Sequence, residues 1–331
     1  MAETSVSDLR VVVLIPVFND WRCITDLLTA LEEQEGLPAH IEVLIVDDGS
    51  THEATPANTP RLSRLTSVSV LRLATNVGHQ RAIAAGLVHL EAKGGFDSVL
   101  VMDADGEDSP SDCLTLMEAS VSDPGSIAVA QRTRRSEGMR FRILYFLYQW
   151  CFRMLTGQRI DFGNFSVVPG TGLRRLVYMP QLWNHYPAAV MQSRIDVQRV
   201  PTERGQRFSG ESRMNFISLV NHGLAGVAAF ADTVYARLLA FSVFVTAVLG
   251  AGVIAGVVFR LQSESPLPGW LALGATAAIL LLFQIIGALV MVSLLTLSMR
   301  AQPVLPPLYV APRYIQSITD LEGQTLESND P

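Results

Sequence analysis

Two uncharged runs near the end of the chain limit its fold more than any other feature. Residues 238–259 contain no Asp, Glu, Lys or Arg, and residues 270–299 contain none either. Each exceeds the roughly 20 residues that carry a helix across the hydrocarbon core of a bilayer, and the second has room to tilt. A pair of buried core helices is the competing reading, but such helices rarely stay uncharged for so long. Composition sides with the membrane. The 331 residues are 49% hydrophobic and only 17% charged, whereas a soluble domain carries about 25% charge. Residues 260–269 (RLQSESPLPG) form a short polar turn between the runs, with Arg204, Arg207, Arg213 and Arg237 before the pair and Arg300 and Arg313 after it. Positive charge favours the cytoplasm. Both termini are therefore expected in the cytoplasm, with the turn outside an inner or plasma membrane. Residues 1–10 lack a basic start followed by an apolar run, so they do not read as a secretory signal.

The preceding 200 residues read differently. Residues 11–18 (VVVLIPVF), 41–46 (IEVLIV), 68–73 (VSVLRL) and 98–102 (SVLVM) are short β-branched runs, the signature of buried strands. Helical spacing over residues 20–34 (Ile24, Leu27, Leu28, Leu31) and an Ala-rich stretch over 79–92 separate them. Strands alternating with helices predict an α/β domain with a mostly parallel sheet covered on both faces. Polar residues cluster just after the strands, at the edge where open α/β sheets bind ligands. A net charge of −6 leaves no nucleic-acid footprint. Cys23, Cys113 and Cys151 are too far apart for a disulfide scaffold or zinc knuckle. Residues 138–157 interleave Arg140, Arg142 and Arg153 with six aromatic side chains, and residues 214–235 carry little charge. Both stretches suit a membrane interface, and packing on the sheet is an equal alternative for the first.

Four polar turns carry the chemistry. They are Pro16-Val17-Phe18-Asn19-Asp20, Asp47-Asp48-Gly49-Ser50, Asn76-Val77-Gly78-His79-Gln80 and Asp103-Ala104-Asp105. Two carboxylates one residue apart on a turn can approach a hard cation such as Mg²⁺ or Mn²⁺, which is held by one or two carboxylates plus phosphate oxygens. Alone, that pattern is most often a solvated turn, and Asp47-Asp48-Gly49-Ser50 alone reads as a helix start.

As an ordered set, the turns resemble the inverting family 2 glycosyltransferases of GT-A fold. The resemblance covers roughly the first 215 residues. It implies that Pro16, Phe18 and Asp20 line the base pocket of a nucleotide-sugar donor. Asp47 and Asp48 would serve the nucleoside, and Asn76, His79 and Gln80 the rest of the donor. Asp103 and Asp105 would bind Mg²⁺ or Mn²⁺ and the sugar diphosphate. Arg204-Gly205-Gln206-Arg207 with Gly210, Ser212 and Arg213 is similar to a basic segment of the polyprenyl-phosphate glycosyltransferases, whose membrane helices also follow the catalytic domain. Glu107 stands where that group has glutamine, as a possible third metal ligand.

The resemblance implies a hexosyltransferase-type enzyme moving one sugar from a nucleotide sugar to a polyprenyl phosphate, with inversion. Arg132 and Arg142 are expected to hold the acceptor phosphate, and Arg207 and Arg213 to stabilise the leaving diphosphate. A hydroxyl acceptor on a glycolipid or glycan is the first alternative, with Asp161 as the base. A non-catalytic membrane-anchored scaffold that binds nucleotide sugar is the second. A processive polymer synthase is disfavoured by the lack of a Q-x-x-R-W segment. The expected layout is a cytoplasmic GT-A domain over 1–213, an interfacial helix over 214–236, a transmembrane hairpin over 237–300 and a cytoplasmic tail over 301–331. The expected partners are the donor, the lipid acceptor and the bilayer, with a homo-oligomer left open and no nucleic acid.

Overall fold

The computed structural model describes residues 5–52, 63–132, 139–208, 216–262, 269–300, 305–321 and 323–328. The described residues fall into two compact units. The first comprises Met1–Gln149, Arg159–Ala229 and Leu305–Pro331, and the second Trp150–Gln158 and Phe230–Val304.

The first unit is built on a mixed sheet. Strand β1 (Arg10–Val17) is apolar and buried over all but its first residue, as a central strand covered on both faces must be. It lies between β2 (His40–Asp47) and β4 (Ser98–Val101), parallel to both, and β3 (Leu65–Leu73) continues the parallel set beside β2. The polar turns thus leave one edge of one parallel array, as the sequence predicts. The flanks depart from that pattern. Strand β6 (Ser166–Pro169) runs antiparallel to both β4 and β5 (Ile127–Arg132), and β5 pairs in parallel with β7 (Val197–Thr202). On the other side, β8 (Ile315–Asp320) lies antiparallel to β3, and β9 (Thr325–Ser328) antiparallel to β8. The residues read as a tail therefore complete one edge of this sheet.

Helices cover both faces. Helix α1 (Trp21–Glu33) buries Cys23, Ile24, Leu27, Leu28 and Leu31 on one stripe, and α3 (Pro110–Ser122) shares that face. On the opposite face, α2 (His79–Lys93) lies so deep that Gly86 leaves no room for a side chain: a Cβ there would stand 2.6 Å from Leu14 and 2.8 Å from Val46. This close packing anchors the helix whose first turn carries His79 and Gln80. Helices α5 (Gly170–Val177) and α6 (Tyr186–Gln192) flank it. The short turn at Ala311–Tyr314 also packs against this face, with Ala311 fully buried and the Tyr314 ring 5.7 Å from Trp183.

Helix α4 (Met139–Thr156) follows β5, and α7 (Phe216–Ala228) follows β7. In the second unit, α8 (Ala231–Gln262) and α9 (Gly269–Arg300) are long enough to cross a membrane, and α8 buries none of its residues. Tyr235 Oη and Ser293 Oγ link them at 2.5 Å. The end of α4 joins this unit through an edge-to-face contact of Phe152 with Phe230 and a hydrogen bond from Arg237 Nη1 to Met154 O at 3.0 Å.

Candidate active site

The first three polar turns are stitched together by side chain to backbone hydrogen bonds. Asn19 takes a left-handed conformation (φ 54°), one that asparagine tolerates. From there its Oδ1 accepts from Thr51 N and His52 N at 2.9 and 3.0 Å, and its own N–H donates to Ser50 Oγ. Asp47 is fully buried and accepts from Ser50 N at 2.9 Å and Arg72 Nε at 3.2 Å. Asp48 accepts from Val77 N and Gly78 N, at 2.7 and 2.9 Å. Burial pushes the Asp48 carboxyl above its ordinary range, against the pull of those two N–H groups. Pro16 is buried inside β1, whereas Phe18 is exposed at the strand end, and Asp20 and Asn76 sit on the same rim. Asp47 and Asp48 therefore shape the rim, while Phe18 faces outward from it.

The fourth turn holds four acids, Asp103, Asp105, Glu107 and Asp108. Asp108 accepts from Asp103 N at 3.0 Å and from Arg132 Nη2 at 3.1 Å. Burial, together with the neighbouring Asp103 charge, pushes its carboxyl up to about 7. Burial opposes charge on Asp103 too, but His79 and Arg132 beside it hold its carboxyl below the usual range. Asp105 is raised by burial and by the charges of Asp103 and Glu107. Arg207 Nη1 stands 3.5 Å from Asp105 Oδ2, and Glu107 is bound by Arg204 Nη2 at 2.5 Å and Arg132 Nη1 at 3.4 Å.

A chain of amides sets the polarity beside Asp103. Tyr186 N–H donates to Gln80 Oε1 at 2.6 Å, so Gln80 Nε2 donates to Asn164 Oδ1 at 3.1 Å. Asn164 Nδ2 then faces His79 Nε2 at 2.9 Å as the donor. An accepting Nε2 cannot donate to Asp103 Oδ1, which lies 3.3 Å away and is buried without a hydrogen-bond partner. Protonation of His79 would reverse this. Burial opposes that form, but the Asp103 and Asp48 charges outweigh it and hold the imidazole above its ordinary range.

The structure thus gathers His79, Asp103, Asp105, Glu107, Arg132 and Arg207 around one turn. Asp161 is held by other partners, accepting from Gln131 Nε2 at 2.8 Å and from Arg199 Nε at 3.2 Å. Arg142 lies in α4 with its side chain outside the described residues, and Arg213 lies outside them altogether. Asn164 and Asp108 were not singled out by sequence reasoning. The clue for Asp108 is the acidic run Asp103 to Asp108. The partners of Asn164 are not legible in the sequence, because Gln80 and His79 reach it across 84 and 85 residues.

The sequence model of the family described as glycosyl transferase family 2 matches residues 12–178, half of the chain. The chain belongs to glycosyl transferase family 2. Similar family members include undecaprenyl-phosphate 4-deoxy-4-formamido-L-arabinose transferase of Sodalis glossinidius (strain morsitans). It is 25% identical over 226 residues, which are 64% of this chain and 65% of that protein, so the chain spans just under two thirds of its length. The uncharacterized glycosyltransferase YkoT of Bacillus subtilis (strain 168) is 25% identical over 251 residues, 72% of this chain and 74% of the relative. A similar solved structure is glucosyl-3-phosphoglycerate synthase from Mycobacterium tuberculosis, in complex with Mn²⁺, uridine-diphosphate-glucose and phosphoglyceric acid. It has a TM-score of 0.51 and 14% identity, covering 68% of this chain and 80% of that one. This likeness establishes the GT-A fold of the first unit.

A divalent cation fits part of this turn. Among the described residues, no three His, Cys, Asp or Glu side chains are grouped to hold a metal. The buried, unpartnered Oδ1 of Asp103 and the nearby Asp105 carboxylate are what Mg²⁺ or Mn²⁺ requires when diphosphate oxygens complete its shell.

Proposed function

We propose that this family 2 glycosyltransferase transfers one sugar from a nucleotide sugar to a polyprenyl phosphate at the cytoplasmic membrane face, with inversion at the anomeric carbon. One observation carries the reading. A four-carboxylate turn is met by the guanidinium groups of Arg132, Arg204 and Arg207, in a chain that continues into two helices of membrane-spanning length.

The acceptor oxygen attacks the anomeric carbon, the bond to the diphosphate breaks, and the nucleoside diphosphate leaves with the electron pair. Asp103 and Asp105 would hold a divalent cation, which when bound supplies Lewis-acid stabilisation of the leaving diphosphate. Arg207 beside Asp105 adds fixed positive charge where negative charge develops. Phe18, exposed at the end of β1, offers a surface for the nucleoside base. His79 and Asn164 present polar atoms next to Asp103, where the sugar of a diphosphate donor would lie.

A phosphate acceptor requires no general base, because its second ionisation lies near a pKa of about 6. It requires cations that grip its oxygens, which guanidinium groups do in pairs. A hydroxyl acceptor would require a free base, and both Asp161 oxygens accept from Arg199. The undecaprenyl-phosphate transferase among the relatives supports the lipid acceptor. The topology reading gains support from β8 and β9. The chain leaves the first unit for α8 and α9 and returns to the same sheet, so both ends of the hairpin connect to one side. The arginines around it favour the cytoplasm for that side.

The test is incubation of the full chain in lipid vesicles holding undecaprenyl phosphate with Mg²⁺ or Mn²⁺ and a panel of radiolabelled nucleotide sugars. Transfer of label into an organic-extractable product cleaved by mild acid is expected. Label only in water-soluble or acid-stable products would refute the lipid-phosphate acceptor.

A further inference from the structure

The basic segment at residues 203–208 is seated on the acidic turn by contacts that a loose loop would not make. Gly205 N donates to Glu107 O and Phe208 N donates to Asp105 O, both at 2.9 Å. The Glu203 N–H donates to the Asp112 carboxylate. Two glycines mate across the junction. A Cβ on Gly205 would fall 2.3 Å from Gly106 O, and one on Gly106 would fall 2.6 Å from the Phe208 ring. Gly106 also has a φ of 85°, a conformation other residues avoid. At the centre of this junction Glu107, 17% exposed, receives Arg204 on Oε1 and Arg132 on Oε2.

We propose that Glu107 is a positioning residue, and not a ligand to a cation: it docks the 203–208 segment on the acidic turn and fixes where the Arg132 and Arg204 guanidiniums stand. Both of its oxygens are committed to these groups. The carboxylate closes the charge gap between two cations that would otherwise repel each other. The segment that it holds also carries Arg207 to Asp105. The position of three guanidiniums therefore depends on one acid and two glycines. Only the activity arm of the test rests on the glycosyl-transfer reading.

The test uses the purified full chain, wild type and with Glu107→Ala, Glu107→Gln, Gly205→Ala or Asp105→Asn. The first readout is the rate of trypsin cleavage after Arg204 and Arg207, resolved by mass spectrometry at a temperature where every variant remains folded. Glu107→Ala and Gly205→Ala, which undock the segment by different routes, should each speed this cleavage about tenfold. Glu107→Gln keeps an oxygen for Arg204 and should fall between them and wild type. The second readout is affinity for Mn²⁺ alone, from the loss of its free paramagnetic resonance signal. It should stay within about twofold of wild type in the Glu107 variants and weaken in Asp105→Asn. In the activity arm, Glu107→Ala should lower kcat with little change in the Mn²⁺ concentration at half-activity. Unchanged cleavage in Glu107→Ala, or a loss of Mn²⁺ affinity there equal to that of Asp105→Asn, would overturn the proposal. If wild type transfers no sugar, the function proposed above fails, while the protease readout still decides the docking.

Discussion

Asp48 shows how one carboxylate can be read two ways at the scale of a residue. By resemblance it serves a nucleoside. In the structure it is 3% exposed, and its oxygens accept from the backbone of residues 29 and 30 positions further on. It thereby fixes the turn that starts α2 and presents His79. Asp48→Asn would place an NH₂ group against one of those N–H groups and leave a buried donor unmet. Such a loss costs about 1–3 kcal/mol. A melting temperature several degrees lower is expected, alongside any change in donor affinity. An unchanged melting temperature would return Asp48 to a purely ligand-binding role. Glu107 has the same history. Its acidity made it a candidate metal ligand, but its partners lie 25 and 97 residues away. Sequence separations of that size are why residue type was legible here and residue role was not.

At the scale of elements, β1 and β2 were legible because each is a nearly unbroken apolar run buried on both faces, and β3 because its Val and Leu residues still alternate with polar ones. Strand β6 is only four residues long and ends in Pro169, and four of the six residues of β8 (IQSITD) are polar. Neither has enough periodic signal to be read, and both run antiparallel. Helix α1 also makes a connection that its amphipathic pattern does not announce. Its Glu32 accepts from Ser63 N, Ser63 Oγ, Arg64 N and Leu65 N, gathering the start of β3. Burial alone would raise this carboxyl, but these four hydrogen bonds bring it down to about 2 from 4.5. A depressed folded pKa gives stability that is present above the unfolded value and lost as pH falls through the folded one. Wild type should therefore exceed Glu32→Gln in melting temperature at pH 7. Solvent screening limits the gap to roughly 2–4 °C. The gap should narrow below pH 4.5 and close near pH 2. A gap independent of pH would exclude the carboxylate as its source.

At the scale of the whole molecule, the two long apolar helices are an insertion that the strands of the mixed sheet surround in sequence. The two uncharged runs were plain in the sequence. The return of the chain to β3 was not, because β8 is too short and too polar to announce a strand. Helix α4 exposes Phe146, Leu147, Trp150 and Met154 on one face, at spacings of about one and two turns. Its end is held by Arg237, the last charge before the apolar run of α8. That arrangement suits a helix lying at headgroup level. It is the arrangement that the lipid acceptor proposed above would require. The most direct measurement is nucleoside diphosphate release by the purified chain in vesicles, with its donor and Mg²⁺ or Mn²⁺, before and after undecaprenyl phosphate is added. Release should rise at least tenfold with the lipid phosphate, fail to rise with undecaprenol, and be lost in Asp105→Asn or on chelation of the metal. Release that is indifferent to the lipid phosphate, or equal in Asp105→Asn, would contradict the account.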